Sequence, residues 1–117
     1  MPRYLVMGTY SQEGMSAAME EGFASREEAV RPLIEAMGGT LEAMHFCSPG
    51  AGFNFVIQMT APNADVAYSM SVMGTANSAF ANGGQVVELK TGAEADAVLA
   101  NAAEAHAKYR APGEASA

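Results

Sequence analysis

The chain carries one cysteine, no tryptophan and only 6 basic residues among 117. A lone thiol, Cys47, cannot close an intrachain disulfide, and zinc motifs built on several cysteines are excluded. Six Lys and Arg against 13 Asp and Glu leave a net charge of −7. That is the wrong sign for neutralising phosphates, so neither nucleic acid nor an anionic membrane is an expected partner. Long apolar runs are missing as well. Nothing approaches the ~18–20 residues of a membrane span, and Met1-Pro2-Arg3 leads into a strand-like segment without a signal-peptide core. The expectation is a reduced, soluble, cytoplasmic protein. No phosphate-cradling or dinucleotide glycine spacing is present, and no cofactor is expected.

Half of the residues are hydrophobic, enough for one buried core at this length. The pattern predicts a single domain over residues 1–110 and a flexible tail over 111–117, where small polar residues are punctuated by Pro and Gly. Arg3 to Tyr10 is short, apolar and β-prone. Ser11 is a plausible N-cap, and Met15, Ala18, Met19 and Gly22 follow at helical spacing. Phe23-Ala24 interrupts that helix. Ser25-Arg26-Glu27-Glu28 has the form of a capping box that restarts it, and Gly38-Gly39 stops it in the left-handed conformation. Pro32 falls inside the restarted helix, where a missing donor costs on the order of 3 kcal/mol, so a kink or a later start is expected.

Thr40 to Cys47 and Phe53 to Met59 read as two strands joined through Ser48-Pro49-Gly50-Ala51-Gly52. In the second, Phe53, Phe55, Ile57 and Met59 alternate with Asn54, Val56 and Gln58, which assigns one buried and one more polar face. Pro62-Asn63 opens a helix to about Phe80, with Val66, Met70, Met73 and Phe80 on one stripe and the small residues Ala67, Ser71, Gly74 and Ser78 on another. Asn82-Gly83-Gly84 is a stop and turn. Gln85 to Lys90 is the fourth strand. Thr91-Gly92-Ala93-Glu94 is a capping box for an Ala-rich helix to about Tyr109.

This order predicts an α+β, ferredoxin-like βαββαβ sandwich with a four-stranded antiparallel sheet, an interrupted first helix and an added C-terminal helix. Two long helices cover one face of such a sheet. The other face is then solvated, covered by the terminal helix, or buried against another subunit. With only 16% charged residues, burial in a homo-oligomer, a dimer or higher, is the favoured expectation.

Met1 to Tyr10, Ser25 to Val30, Met37 to Ala43 and Gly52 to Val56 resemble the GYD-domain family, in order and spacing, over roughly residues 2–100. The family takes its name from a Gly-Tyr-Asp triplet at the start of the third strand. Here the triplet reads Gly52-Phe53-Asn54, which removes a phenol and a carboxylate together. The resemblance implies a small, oligomeric, ferredoxin-like domain of bacterial type, and it implies no reaction.

Four residues stand out as candidates for ligand binding: His45, Asn54, Gln58 and Tyr4. His45 and Cys47 are two apart on a strand and so share a face, and with Met44 they offer soft or intermediate metal ligands. His106 is the only other imidazole, too few ligands for a metal site to be expected. If Phe46 pairs near Phe53, His45 lies beside Asn54 on a largely apolar face that also carries Gln58, which suits a small-molecule pocket. A one-residue slip puts His45 beside Phe55 instead. His45 is also the candidate acid/base of a cofactor-poor enzyme of the dimeric α/β-barrel type, since imidazole is the side chain suited to proton transfer near neutral pH. No nucleophile or paired carboxylate accompanies it at defined spacing. Binding or assembly is therefore placed before catalysis.

Overall fold

The computed structural model describes residues 1–48, 52–81 and 84–113. The elements are β1 (Arg3–Gly8), α1 (Gln12–Glu21), α2 (Phe23–Ala36), β2 (Thr40–Phe46), β3 (Phe55–Thr60), α3 (Ala64–Ala76), β4 (Gln85–Leu89) and α4 (Gly92–His106). The strands form one antiparallel sheet in the order β2-β3-β1-β4. This is the ferredoxin-like α+β arrangement. Pro49, Gly50 and Ala51 of the expected hairpin loop, Asn82 and Gly83 of the expected turn, and residues 114–117 of the expected tail lie outside the described residues.

Side-chain caps set three of the four helix starts. The Ser11 hydroxyl accepts from the Gly14 N–H at 3.0 Å, Asn63 Oδ1 accepts from the Val66 N–H at 3.1 Å, and Thr91 with Glu94 forms a complete capping box. The remaining start departs from expectation. The break falls at Gly22, whose φ of 86° lies in the left-handed region, and α2 begins directly at Phe23. Ser25 caps nothing; its hydroxyl donates to the Gly22 carbonyl at 2.8 Å. Pro32 is the tenth residue of a continuous 14-residue helix. It lies exposed on the solvent side of α2, and the helix continues through it.

The core lies between the sheet and α2 and α3. Val6, Phe55, Ile57 and Met59 are exposed by 1% or less, with Ile34 from α2 and Ala67 and Met70 from α3 above them. The expected alternation of β3 is realised from Phe55 to Met59; the strand does not include Phe53 and Asn54, of which Asn54 is buried and Phe53 only half-buried. In α3 the small stripe, rather than the large one alone, faces the sheet: Ala67, Met70, Ser71 and Gly74 are the buried residues. A methyl group on Gly74 would overlap the Phe80 ring, which explains a glycine in a helix interior. Phe80 has left the helix. It makes an isolated bridge with Tyr10 and packs on Phe55 with ring centroids 4.9 Å apart.

The terminal helix is different. No residue of α4 is buried, and Val98, Leu99 and Tyr109 are 49%, 65% and 65% exposed. The described chain measures 65 × 30 × 23 Å with a radius of gyration of 18.5 Å, against about 13–14 Å for a compact domain of this length.

Candidate functional site

Register decides what the helix-free face carries. Val6 pairs with Ile57 and Val86, so the residues on either side of them, Leu5, Met7, Val56, Gln58, Gln85 and Val87, face away from the helices, and Leu89, opposite Arg3, shares their side by alternation. On β2 a bulge between Leu41 and Ala43 inserts one extra residue, Glu42. Beyond it Ala43 pairs with Gln58, His45 with Val56 and Phe46 with Phe55. His45 is therefore opposite neither Asn54 nor Phe55, the two neighbours anticipated from the sequence. It stands exposed on the helix-free face, across from Val56 and diagonal to Gln58.

The other two candidates lie elsewhere. Tyr4 is buried on the helix-covered face, opposite Glu88. Burial pushes its phenol above the ordinary value of 10.0; the Glu88 carboxylate adds to this and the Lys90 ammonium opposes it. Asn54 precedes β3 and is consumed by loop geometry. Its Oδ1 accepts from the buried Tyr10 N–H at 2.7 Å, its N–H donates to the Gly8 carbonyl at 2.8 Å, and its carbonyl accepts from the Cys47 N–H at 2.6 Å. One side chain thus joins the β1–α1 loop to the start of β3. An aspartate at the same position would supply the same acceptor, so the third residue of the Gly-Phe-Asn triplet has a positioning role that survives the change from carboxylate to amide.

Sequence reasoning missed a feature at the same end of the sheet. Met7, Gly8, Thr9, Gly52, Phe53 and Gln85 line an open depression of about 460 Å³. Two of these lining residues are joined by an exposed hydrogen bond, Thr9 Oγ1 donating to the Gly52 carbonyl at 3.2 Å. The signal available in the sequence was the triplet itself, whose first two residues form part of this wall. A second, apolar crevice of about 100 Å³ lies between the helices, bordered by Tyr10, Arg26, Met44, Phe55, Met73 and Phe80. Tyr10 in its wall is pushed up from 10.0 by burial, with the Arg26 guanidinium opposing.

The helix-free face thus carries the apolar residues Leu5, Met7, Val56, Val87 and Leu89 along β1, β3 and β4, interleaved with the polar His45, Gln58, Gln85 and Thr60 and with Arg3 at one end. Arg3 reaches Glu94 in the first turn of α4 at 3.6 Å, both side chains being well exposed. Such a pair contributes little by itself, yet it places the start of α4 at the rim of this face. Among the described residues no three or more His, Cys, Asp or Glu side chains stand close enough together to hold a metal ion, and no helix is long and apolar enough to cross a membrane.

No curated protein and no solved structure matches the chain. A family model does: the GYD domain matches residues 4–99, from β1 into α4, in agreement with the fold. The chain belongs to the GYD-domain family.

Proposed function

We propose that this GYD domain works as a homo-oligomer assembled through the helix-free face of its sheet, with His45 and Gln58 presented to a small molecule held between subunits. The observation behind the reading is the inequality of the two faces. On one, Val6, Phe55, Ile57 and Met59 are exposed by 1% or less. On the other, Leu5, Met7, Val56 and Leu89 are half-buried and Val87 is 42% exposed, with no helix laid over them. A contiguous apolar patch on an otherwise acidic chain marks an interaction surface. Completing the burial of five such side chains contributes several kcal/mol, on the order of what a modest interface needs.

The test is Met7→Glu, which puts a charge on this face, in the same row as His45 and Val56, without touching the helix-covered core. Light scattering is expected to find the unaltered chain at a multiple of 12.1 kDa and the variant at 12.1 kDa, with an unchanged circular dichroism spectrum. An unaltered chain of 12.1 kDa at every concentration overturns the reading.

The exposed His45 imidazole beside Gln58 also supports a second reading, an acid/base on the same face in a cofactor-poor enzyme. His45→Ala separates the roles. Loss of a bound species in native mass spectrometry, with assembly intact, makes His45 a site residue; loss of assembly makes it an interface residue.

A further inference from the structure

Helix α4 has no layer to pack against. Ala95, Val98, Leu99 and Ala102 recur at i, i+3, i+4 and i+7 and give it an apolar side, of which only Ala95 is half-buried and the rest is exposed. At 15 residues it has a length at which isolated helices are marginal, so tertiary packing normally supplies the missing stability. The sheet has the reverse shortage, a face with no helix. One chain therefore holds both halves of a layer that it does not assemble itself.

The connection explains why. Only Lys90 separates Leu89, the last residue of β4, from the N-cap Thr91, and α4 runs outward, about 22 Å long at 1.5 Å per residue. Charge favours a second copy of the chain as the occupant. The residues paired across the sheet on the open face include no carboxylate, and Arg3 at its end already meets Glu94 of α4 in its own chain at 3.6 Å; Glu42 is the unpaired bulge residue on the outer strand. Helix α4 carries Glu94, Asp96 and Glu104. In a chain of net charge −7, this face is one where an acidic helix is not repelled. A two-fold pair would satisfy both shortages at once, because the same two patches meet twice.

We infer that α4 of each subunit lies across the helix-free sheet face of a second copy. This rests on the assembly reading above and names the element that covers the face. The experiment compares sedimentation velocity of the full chain with Leu99→Glu on α4, Leu99→Met as its conservative control, and Val87→Glu on the face. Backbone amide exchange over residues 92–106 is followed in parallel. Leu99 is 65% exposed in its own chain, so its substitution does not confuse association with unfolding. Both glutamate variants are expected to raise the dissociation constant at least about tenfold, with Leu99→Met close to the unaltered chain. Amides of α4 are expected to be protected in the assembly and to lose that protection on dilution. If Val87→Glu dissociates the chain while Leu99→Glu and the α4 amides are indifferent, sheet-face assembly stands and α4 as its cover is overturned. If only Leu99→Glu dissociates it, α4 docks elsewhere and this inference fails. A monomer with protected α4 amides shows the helix folded onto its own chain, and a monomer with unprotected ones removes both readings.

Discussion

Helices α3 and α4 begin alike and end in opposite circumstances. Each opens on a side chain that accepts a backbone N–H, from Asn63 in one and Thr91 in the other, and α4 has the more complete cap. Yet α3 buries Ala67, Met70, Ser71 and Gly74, and α4 buries nothing. Local capping decides where a helix starts; the connection to the neighbouring strand decides whether it meets a surface. Between Thr60 and α3 the residues Ala61-Pro62-Asn63 turn the chain back over the sheet, and the Ala61 N–H is tied to the Pro2 carbonyl at 3.1 Å. Between Leu89 and Thr91 there is only Lys90.

The contrast can be broken first at the packed helix. Met70→Ala removes a buried side chain under α3 and is expected to cost about 2–5 kcal/mol in urea unfolding. Leu99→Ala, below the concentration of association, is expected to change the same midpoint by less than about 0.5 kcal/mol. Equal costs would erase the distinction. A smaller effect with a diagnostic sign comes from Gly74→Ala. Helix propensity alone favours alanine by about 1 kcal/mol, but the added methyl meets the Phe80 ring. A net loss of about 1–3 kcal/mol is expected, and a gain in thermal stability would show that Phe80 yields freely.

The smallest effect sharpens the other side. Thr91→Ala is expected to cost about 1 kcal/mol of α4 helicity, visible in far-ultraviolet circular dichroism of the dilute chain while the global unfolding midpoint stays put. The same cap is sensitive to pH. The Thr91 backbone N–H, and next its hydroxyl, hold the Glu94 carboxyl below its ordinary 4.5, with Arg3 and Lys90 adding to the effect. A depressed folded value means that the contribution is present above pH 4.5 and lost as pH falls through the folded one. Helical signal from α4 should therefore fade below that range, and a fade on raising the pH would contradict the cap.

Much of this architecture was legible because it is written in short periods. Phe55, Ile57 and Met59 announce their face by alternation, and Ser11, Asn63 and Thr91 announce their helices by side-chain chemistry. The candidate site was less legible, for reasons of phase. A bulge at Glu42 shifts every later β2 residue by one position against β3, and no single residue type signals a bulge. His45 therefore meets Val56. Tyr4 belongs to a run, Arg3 to Gly8, that is apolar on both faces, so parity could not say that its side chain enters the core. Asn54 sits on the polar phase of β3 but one residue before the strand begins, where the Tyr10 N–H claims its side chain. Likewise Gly22, rather than Ser25, punctuates the first helix, because a left-handed residue breaks the chain more sharply than a hydroxyl restarts it.

The central claim is that this sheet does not face water on both α4's account and its own, and the solution mass of the intact chain addresses it most directly. Sedimentation equilibrium across a hundredfold range of concentration is predicted to return twice 12.1 kDa, or a higher multiple, at the upper end. A fit to a single ideal species of 12.1 kDa throughout would contradict the account.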